Sequence, residues 1–211
     1  MPTGGFWQIA TGLTTASGML MVTLAVSYVL SVLGAVAQKR SFAGTVQGFG
    51  TTGARIVRSG WNGSDLHDLD LPLSSLASDA SSLADKHKTY PILHYYHSSS
   101  REHASALAVA ALDEALTLVR YGTGDQRLYN SAVVENARSS VAGYLETLHK
   151  AFIQAADEEP PRPSLAPLRE VGIPTVPEGQ FAQALDDLAQ RRRRLLGVVR
   201  ADAWQWPEEA A

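Results

Sequence analysis

The chain of 211 residues contains no cysteine, which excludes a disulfide-stapled secreted module and fits a reducing compartment. It has no excess of positive charge either: 18 basic against 21 acidic side chains give a net charge of -3, which argues against a strongly basic nucleic-acid binder. No nucleophile elbow, phosphate-cradling glycine loop or His-Glu-x-x-His motif occurs, so the residues give no reason to expect an enzyme or a cofactor. The absence with the largest consequence is local. No Asp, Glu, Lys, Arg or His precedes Lys39, so every formal charge lies from Lys39 onward. The 45% apolar content suggests one ordinary soluble domain, but that average hides two chemical phases joined near Lys39.

Residues 9–37 form an uncharged stretch of 29 residues in which Tyr28 is the one ionisable side chain. As a helix this stretch reaches about 44 Å, enough to cross a hydrocarbon core of about 30 Å with tilt or overhang. The spacing therefore predicts a transmembrane helix within residues 1–40. A secretory signal peptide is the alternative, because Ala35-Val36-Ala37 before Gln38 has the small-x-small form of a cleavage site. Against it, the N-terminus carries no positive charge and the apolar core is about twice the usual 7 to 15 residues. The basic residues Lys39, Arg40, Arg55 and Arg58 follow the span, and no acidic residue appears before Asp65. Basic flanks stay on the cytoplasmic side, so the expected topology is single-pass in the plasma membrane, N-terminus outside and the remainder cytoplasmic.

Within the span, Thr11, Thr15, Met19, Thr23, Ser27, Ser31 and Ala35 recur every fourth residue and draw a shallow spiral of small and hydroxyl groups. Two readings stand. The hydroxyls bond back to i-4 carbonyls while the small residues admit a neighbouring helix, or part of the spiral lines a water-filled path. Both make Thr15, Thr23, Ser27 and Ser31 a pore or packing face, and both imply a homo-oligomer formed through this helix. Gly18, mid-span, is a candidate hinge because glycine there costs about 1 kcal/mol relative to alanine in a soluble helix.

These residues resemble the inner helix of two-transmembrane prokaryotic potassium channels. Pro2-Thr3-Gly4-Gly5-Phe6-Trp7 looks like the loop after that family's selectivity filter, and residues 8–40, with Leu24-Ala25-Val26-Ser27-Tyr28-Val29-Leu30 and the exit Gln38-Lys39-Arg40, look like the inner helix. Gly18 matches the hinge glycine in approximate position, and Tyr90-Pro91-Ile92-Leu93-His94-Tyr95-Tyr96-His97 resembles part of the helical tails of some members. The resemblance implies potassium as the transported ion. The Thr-x-Gly-Tyr-Gly filter is missing, and Tyr121-Gly122-Thr123-Gly124-Asp125 reads as a turn between soluble helices. A filter works through rings of backbone carbonyls, so this chain is not expected to conduct alone. The expectation is a sequence that begins inside a longer reading frame, just after the filter.

The charged phase is all-helical in pattern. Residues 41–63 hold six glycines with Phe42, Val46, Phe49, Ile56 and Val57 near one face, which reads as a marginal juxtamembrane helix. Helical periodicity then covers residues 73–88, 101–120 and 128–156, the last two antiparallel about the 121–125 turn, giving a helical cytoplasmic domain over 64–159. Six of the ten prolines fall between Pro160 and Pro177, so 160–178 reads as an extended linker before a C-terminal basic helix in 179–211. His94 and His97, with His103 further on, are too few to indicate a metal site, and packing is the preferred reading. Arg191 to Arg194 fan over about 300° of helix, with Arg191 and Arg192 on the seam beside Leu188, Leu195 and Leu196. Asp187 can pair with Arg191 at i+4. The run is read as a solvated face with snorkelling stems, or as a contact with anionic lipid or an acidic partner made by Arg191 and Arg192. The functional expectation is an inner helix and cytoplasmic regulatory or assembly domain of a potassium-channel-like protein. The alternatives are a single-span interaction or scaffold protein and a secreted helical binding protein cleaved after Ala37.

Overall fold

The computed structural model describes residues 4–150 and 153–207. Among them the protein is all-α, with eight α-helices, short 3-10 and π turns, and no strand beyond one isolated bridge between Thr123 and Thr175. Met1 to Thr3, which open the loop-like segment of the resemblance, and Phe152, on the third expected helix, lie outside the described residues.

Helix α1, Gly5–Phe49, is 45 residues long and has a window of mean hydropathy 2.2, which makes it long and apolar enough to cross a membrane. Residues 11–31 are exposed on every face. From Val32 onward one face turns inward, carrying Val32, Ala35, Lys39, Phe42, Ala43 and Val46 at helical spacing. The exposed part has aromatic residues at both ends, Phe6 and Trp7 at one and Tyr28 at the other. Trp7 and Tyr28 stand about 32 Å apart along the axis, close to the hydrocarbon thickness of about 30 Å, with rings where interfacial aromatics sit.

The expectation of a separate marginal helix over 41–63 is corrected. α1 runs unbroken through Lys39 to Phe49, because Phe42, Ala43 and Val46 continue its buried face into the main core. Only then does the chain turn into α2, Gly53–Ser59, capped by Thr52, whose hydroxyl accepts from Arg55 N. Gly53 permits that turn: a Cβ there would fall 2.8 Å from the Ala115 backbone nitrogen, so only glycine lets α2 lie this close to α4.

The centre of the bundle is α4, Ser105–Thr117, in which all thirteen residues are buried. Its alanines leave room for α1, α2, α5 and α8 to approach. α3, Asp70–Thr89, and α5, Ser131–Lys150, flank it and run parallel to each other, as Ser81 bonding Ser140 and His87 meeting Tyr144 edge to face require. α5 is antiparallel to α4, joined by Arg120 to Glu135 and Arg138 to Thr117. Several expected boundaries shift. α5 begins three residues later than the periodicity suggests, where the Asn130 side chain accepts from Ala132 N at 3.1 Å, and by Ile153 the chain is no longer helical. Residues 101–103 form a 3-10 turn, and α4 ends in a π turn, Leu118–Gly122.

The proline-rich segment is also more than an extended linker. It contains α6, Ala166–Glu170, and buries Leu165, Leu168 and Ile173 in the core shared with the other helices. The expected C-terminal helix bends at Leu188 into α7, Glu178–Asp187, and α8, Ala189–Ala201. The bend lets Phe181 and Leu185 on one side and Leu195, Leu196 and Val199 on the other reach the same core.

Candidate functional site: the junction of the apolar helix and the bundle

The first formally charged residue of the chain marks the junction. Lys39 follows Val32 and Ala35 on the inward face of α1, so the helix carries its ammonium into the bundle rather than to water, while Arg40 beside it stays exposed. Lys39 Nζ donates to the Tyr96 carbonyl at 2.9 Å and stands 3.8 Å from Asp202 Oδ1, with both side chains about nine-tenths buried. Asp202 closes α8, and its Oδ1 also meets His97 Nδ1 at 2.8 Å. Burial lowers the Lys39 pKa, and the Asp202 carboxylate works against that fall. The end of the apolar helix is thereby tied to a residue near the other end of the sequence.

Around this pair lies a cavity of about 280 Å³ lined by Lys39, His87, His94, Ser105, Tyr144 and Asp202, with Tyr95 and His97 at its exposed side. His87 continues the buried face of α3 after Leu83 and Ala84. Its ring lies 4.8 Å from that of His94 and 5.6 Å, edge to face, from that of Tyr144. Neither His87 ring nitrogen has a hydrogen-bond partner, His94 Nδ1 and Asp202 Oδ2 are likewise buried without one, and the Ser105 hydroxyl has the Tyr144 phenol beside it. Burial, and then the charge of Lys39 and proximity of His94, push the His87 pKa down to about 3. His94 is lowered by burial and then by Lys39, and the buried Tyr144 phenol is raised by burial and then by Asp202. His87 is therefore neutral at physiological pH. Among the described residues no three His, Cys, Asp or Glu side chains converge where they could hold a metal ion, and His103 stands apart in the exposed 3-10 turn.

The other residues singled out by sequence are placed as follows. Thr23 donates to the Met19 carbonyl and Ser31 to the Ser27 carbonyl, both at 2.9 Å, while Thr15 and Ser27 share the exposed surface of α1. Gly18 lies mid-helix with nothing within 4 Å of a Cβ placed there, and α1 passes through it without interruption. Arg191 and Arg192, expected to meet anionic lipid or an acidic partner, both turn into the bundle and away from any lipid surface. Arg191 forms a two-pronged bond to buried Asp113, with Nε to Oδ1 at 2.9 Å, and donates to the Arg138 carbonyl at 3.2 Å. Asp113, not Asp187, is thus its partner, since α8 packs on α4 with that carboxylate opposite. Arg192 donates to the carbonyls of Pro160 and Pro161 at 3.2 and 2.6 Å, because the proline-rich segment lies across α8 and offers carbonyls without a helical ladder. The outward positions are Arg193 and Arg194, loosely paired with Glu159 at 3.9 Å and Glu146 at 3.6 Å.

Sequence reasoning missed His87, Ser105, Tyr144 and Asp202. The signal for His87 was present, since it sits three and four residues after Ala84 and Leu83 on an apolar stripe. For Ser105 and Asp202 no local pattern distinguishes them from cap residues.

Fold and site together define a helical bundle hung from one long apolar helix, with a desolvated charge cluster where the two meet. The chain is 43% identical over 206 residues, 98% of its length, to the uncharacterized membrane protein YdjJ of Bacillus subtilis (strain 168). It spans 60% of the length of that curated relative. No protein-family model and no solved structure matches it.

Proposed function

We propose that this chain is the inner-helix and cytoplasmic portion of a potassium-channel-like membrane protein, anchored in the plasma membrane with its N-terminus outside, its bundle serving assembly and regulation. The observation that carries the proposal is the surface of α1. Its face turned away from the bundle presents Gly34, Ala37, Ser41, Gly44 and Gly48, and beyond the exposed Leu30 returns to small groups at Ser27 and Thr23. A single-span anchor needs only an apolar surface toward lipid. A run of small groups on the outward face is what close approach of neighbouring helices demands. The name of the Bacillus subtilis relative supports the membrane setting, and the aromatic pair at Trp7 and Tyr28 supports a spanning orientation.

In this reading the bundle acts mechanically. α1 is continuous from the span into the core, so a movement of the bundle is delivered to the apolar helix through Lys39, Phe42 and Val46 without a flexible linker. Conduction needs a carbonyl filter, which this chain does not carry, so the chain alone passes no current. The test is disulfide trapping in membranes. Single cysteines at Ser27 and Ala37 are expected to cross-link copies of the chain, while cysteine at Leu24 is not. Monomer at every position would overturn the channel reading and leave the single-span interaction protein, which the one candidate span among the described residues also fits.

A further inference from the structure

The cavity at the junction contains more polar groups than its own chain satisfies. We propose that it binds a small oxyanion of phosphate type, held between the N-terminus of α4, Ser105, His87 and Lys39, with Asp202 receiving a proton-bearing oxygen of the ligand.

The donors come from three elements. α4 begins at Ser105 with Ala104 as its cap residue, and no side chain caps it. Its first amides therefore have no side-chain acceptor, and the partial positive charge of a thirteen-residue helix is directed at the cavity wall that Ser105 and Ala106 form. A helix terminus alone selects nothing. What sets this one apart is the buried inventory around it: His87 is 3% exposed with both ring nitrogens unpartnered, and Ser105 is 1% exposed with only the Tyr144 phenol beside its hydroxyl. Both line the same cavity as Lys39, whose ammonium has three donors and spends one on the Tyr96 carbonyl. Polar groups buried in this way without partners are costly, and a native structure keeps few of them.

The ligand's chemistry follows from the donors and acceptors it would meet. Lys39, Ser105, one nitrogen of His87 and the α4 amides all donate, which selects an acceptor-rich group. Asp202 Oδ2 is the exception, an acceptor with no donor, and it disfavours a fully deprotonated carboxylate. A hydrogen phosphate or phosphate monoester has both kinds of oxygen: bare ones for the donors and a P–OH for Asp202. Lys39 and Asp202 offset one another's charge, so the arriving anion is balanced by the helix terminus and by His87. His87 is neutral in the empty site and gains a reason to protonate beside an oxyanion. The other titratable groups facing it are Lys39, His94, Tyr144 and Asp202, with His97 on the far side of Asp202. The cavity opens beside exposed Tyr95, near the level where α1 emerges from its free stretch, so a lipid phosphate and a free one have access to the same donors.

The experiment uses the full chain in nanodiscs of phosphatidylcholine, titrated with inorganic phosphate against chloride at matched ionic strength, with binding followed by calorimetry. Saturable binding is expected, tightening as pH falls from 8 to 6. Lys39→Gln and His87→Phe should each weaken it by about tenfold or more, as loss of a charge-assisted bond does. Arg193→Gln, outside the cavity, should leave it unchanged. Helical circular dichroism and elution volume identify any variant that fails to fold, and Ser105→Ala then gives a milder test with an expected loss of about threefold to tenfold. If inorganic phosphate does not bind but nanodiscs containing phosphatidic acid protect the chain against unfolding in a Lys39-dependent way, the phosphate belongs to a lipid. Absence of both effects, or binding indifferent to Lys39→Gln and Ser105→Ala together, overturns the proposal. None of these readouts depends on oligomer formation or conduction, so the outcome is separate from that of the channel reading.

Discussion

Acidification should loosen the junction through His87 in particular. In the folded chain its pKa lies at about 3, whereas an unfolded histidine titrates near its ordinary value of 6.5. Between these two values the unfolded state binds more protons than the folded one, so stability rises with pH through this window and falls as the solution is acidified. Lowering pH from 7 to 5 should remove about 2 kcal/mol of folding stability through this one side chain, equivalent to about 4 to 8 °C in Tm for a chain of this size. His94, lowered for the same reasons, adds in the same direction. His67, raised by its bond to Asp70, acts with the opposite sign, and its contribution cancels when variants are compared. The assay is thermal unfolding of the full chain in detergent micelles, followed by tryptophan fluorescence at pH 7 and pH 5, in a buffer without oxyanions. His87→Gln cannot titrate and should lose about 2 kcal/mol less than the natural chain over that interval. If both lose the same stability, His87 is not neutral and buried as the structure has it, and the desolvation argument fails.

Four further outcomes are expected. Arg191→Gln leaves the Asp113 carboxylate buried without its partner and should cost about 3 to 5 kcal/mol in unfolding experiments, against at most about 1 kcal/mol for Arg193→Gln at the solvated face. A Lys39→Met and Asp202→Asn double-mutant cycle should return a favourable coupling of about 1 to 2 kcal/mol, and a value near zero would mean that the two charges interact only with water. In membranes, Ser27→Leu should reduce cross-linked oligomer through a cysteine at Ala37 several-fold, while Leu24→Ile should not, because only close-packed helix faces require small groups. An exposed Ser99→Cys should label with an impermeant thiol reagent only after cells are lysed, and equal labelling of intact cells would reverse the orientation drawn from Lys39 and Arg40.

The helical class and the apolar span were legible because each depends on local patterns. Charge is absent before Lys39, and residues 104–119 repeat at helical spacing. The continuation of α1 to Phe49 was not, since six glycines in 41–63 argue locally for a weak helix. The structure overrides them with the buried face formed by Phe42, Ala43 and Val46. The same limit applies to the arginine run. Helical geometry singles out Arg191 and Arg192 as seam positions, and both do turn inward, but their partners are Asp113 and two proline carbonyls far away in sequence. Spacing identifies a face, while the occupant of that face depends on tertiary packing. The cavity is the extreme case: its walls come from α1, α3, α4, α5, α8 and the turns between α3 and α4, so no window of sequence contains it.

A lysine at the end of a membrane span ordinarily remains in water, where its charge is solvated at no cost. Placing Lys39 inside the bundle forgoes that solvation, and the Tyr96 carbonyl and the Asp202 carboxylate are what offset the loss. One of these is on the turn that follows α3 and the other closes α8, so the position of α1 is sensed by two elements distant in sequence. An oxyanion in the cavity would draw on the same ammonium. Binding free energies are reciprocal: if the ligand alters how firmly Lys39 holds α1 to the bundle, then displacing α1 must alter ligand affinity by the same factor. Restraining α1 by the Ala37 cross-link should therefore change phosphate affinity in the full chain, whereas a cross-link near Gly5, separated from the bundle by the whole exposed span, should not.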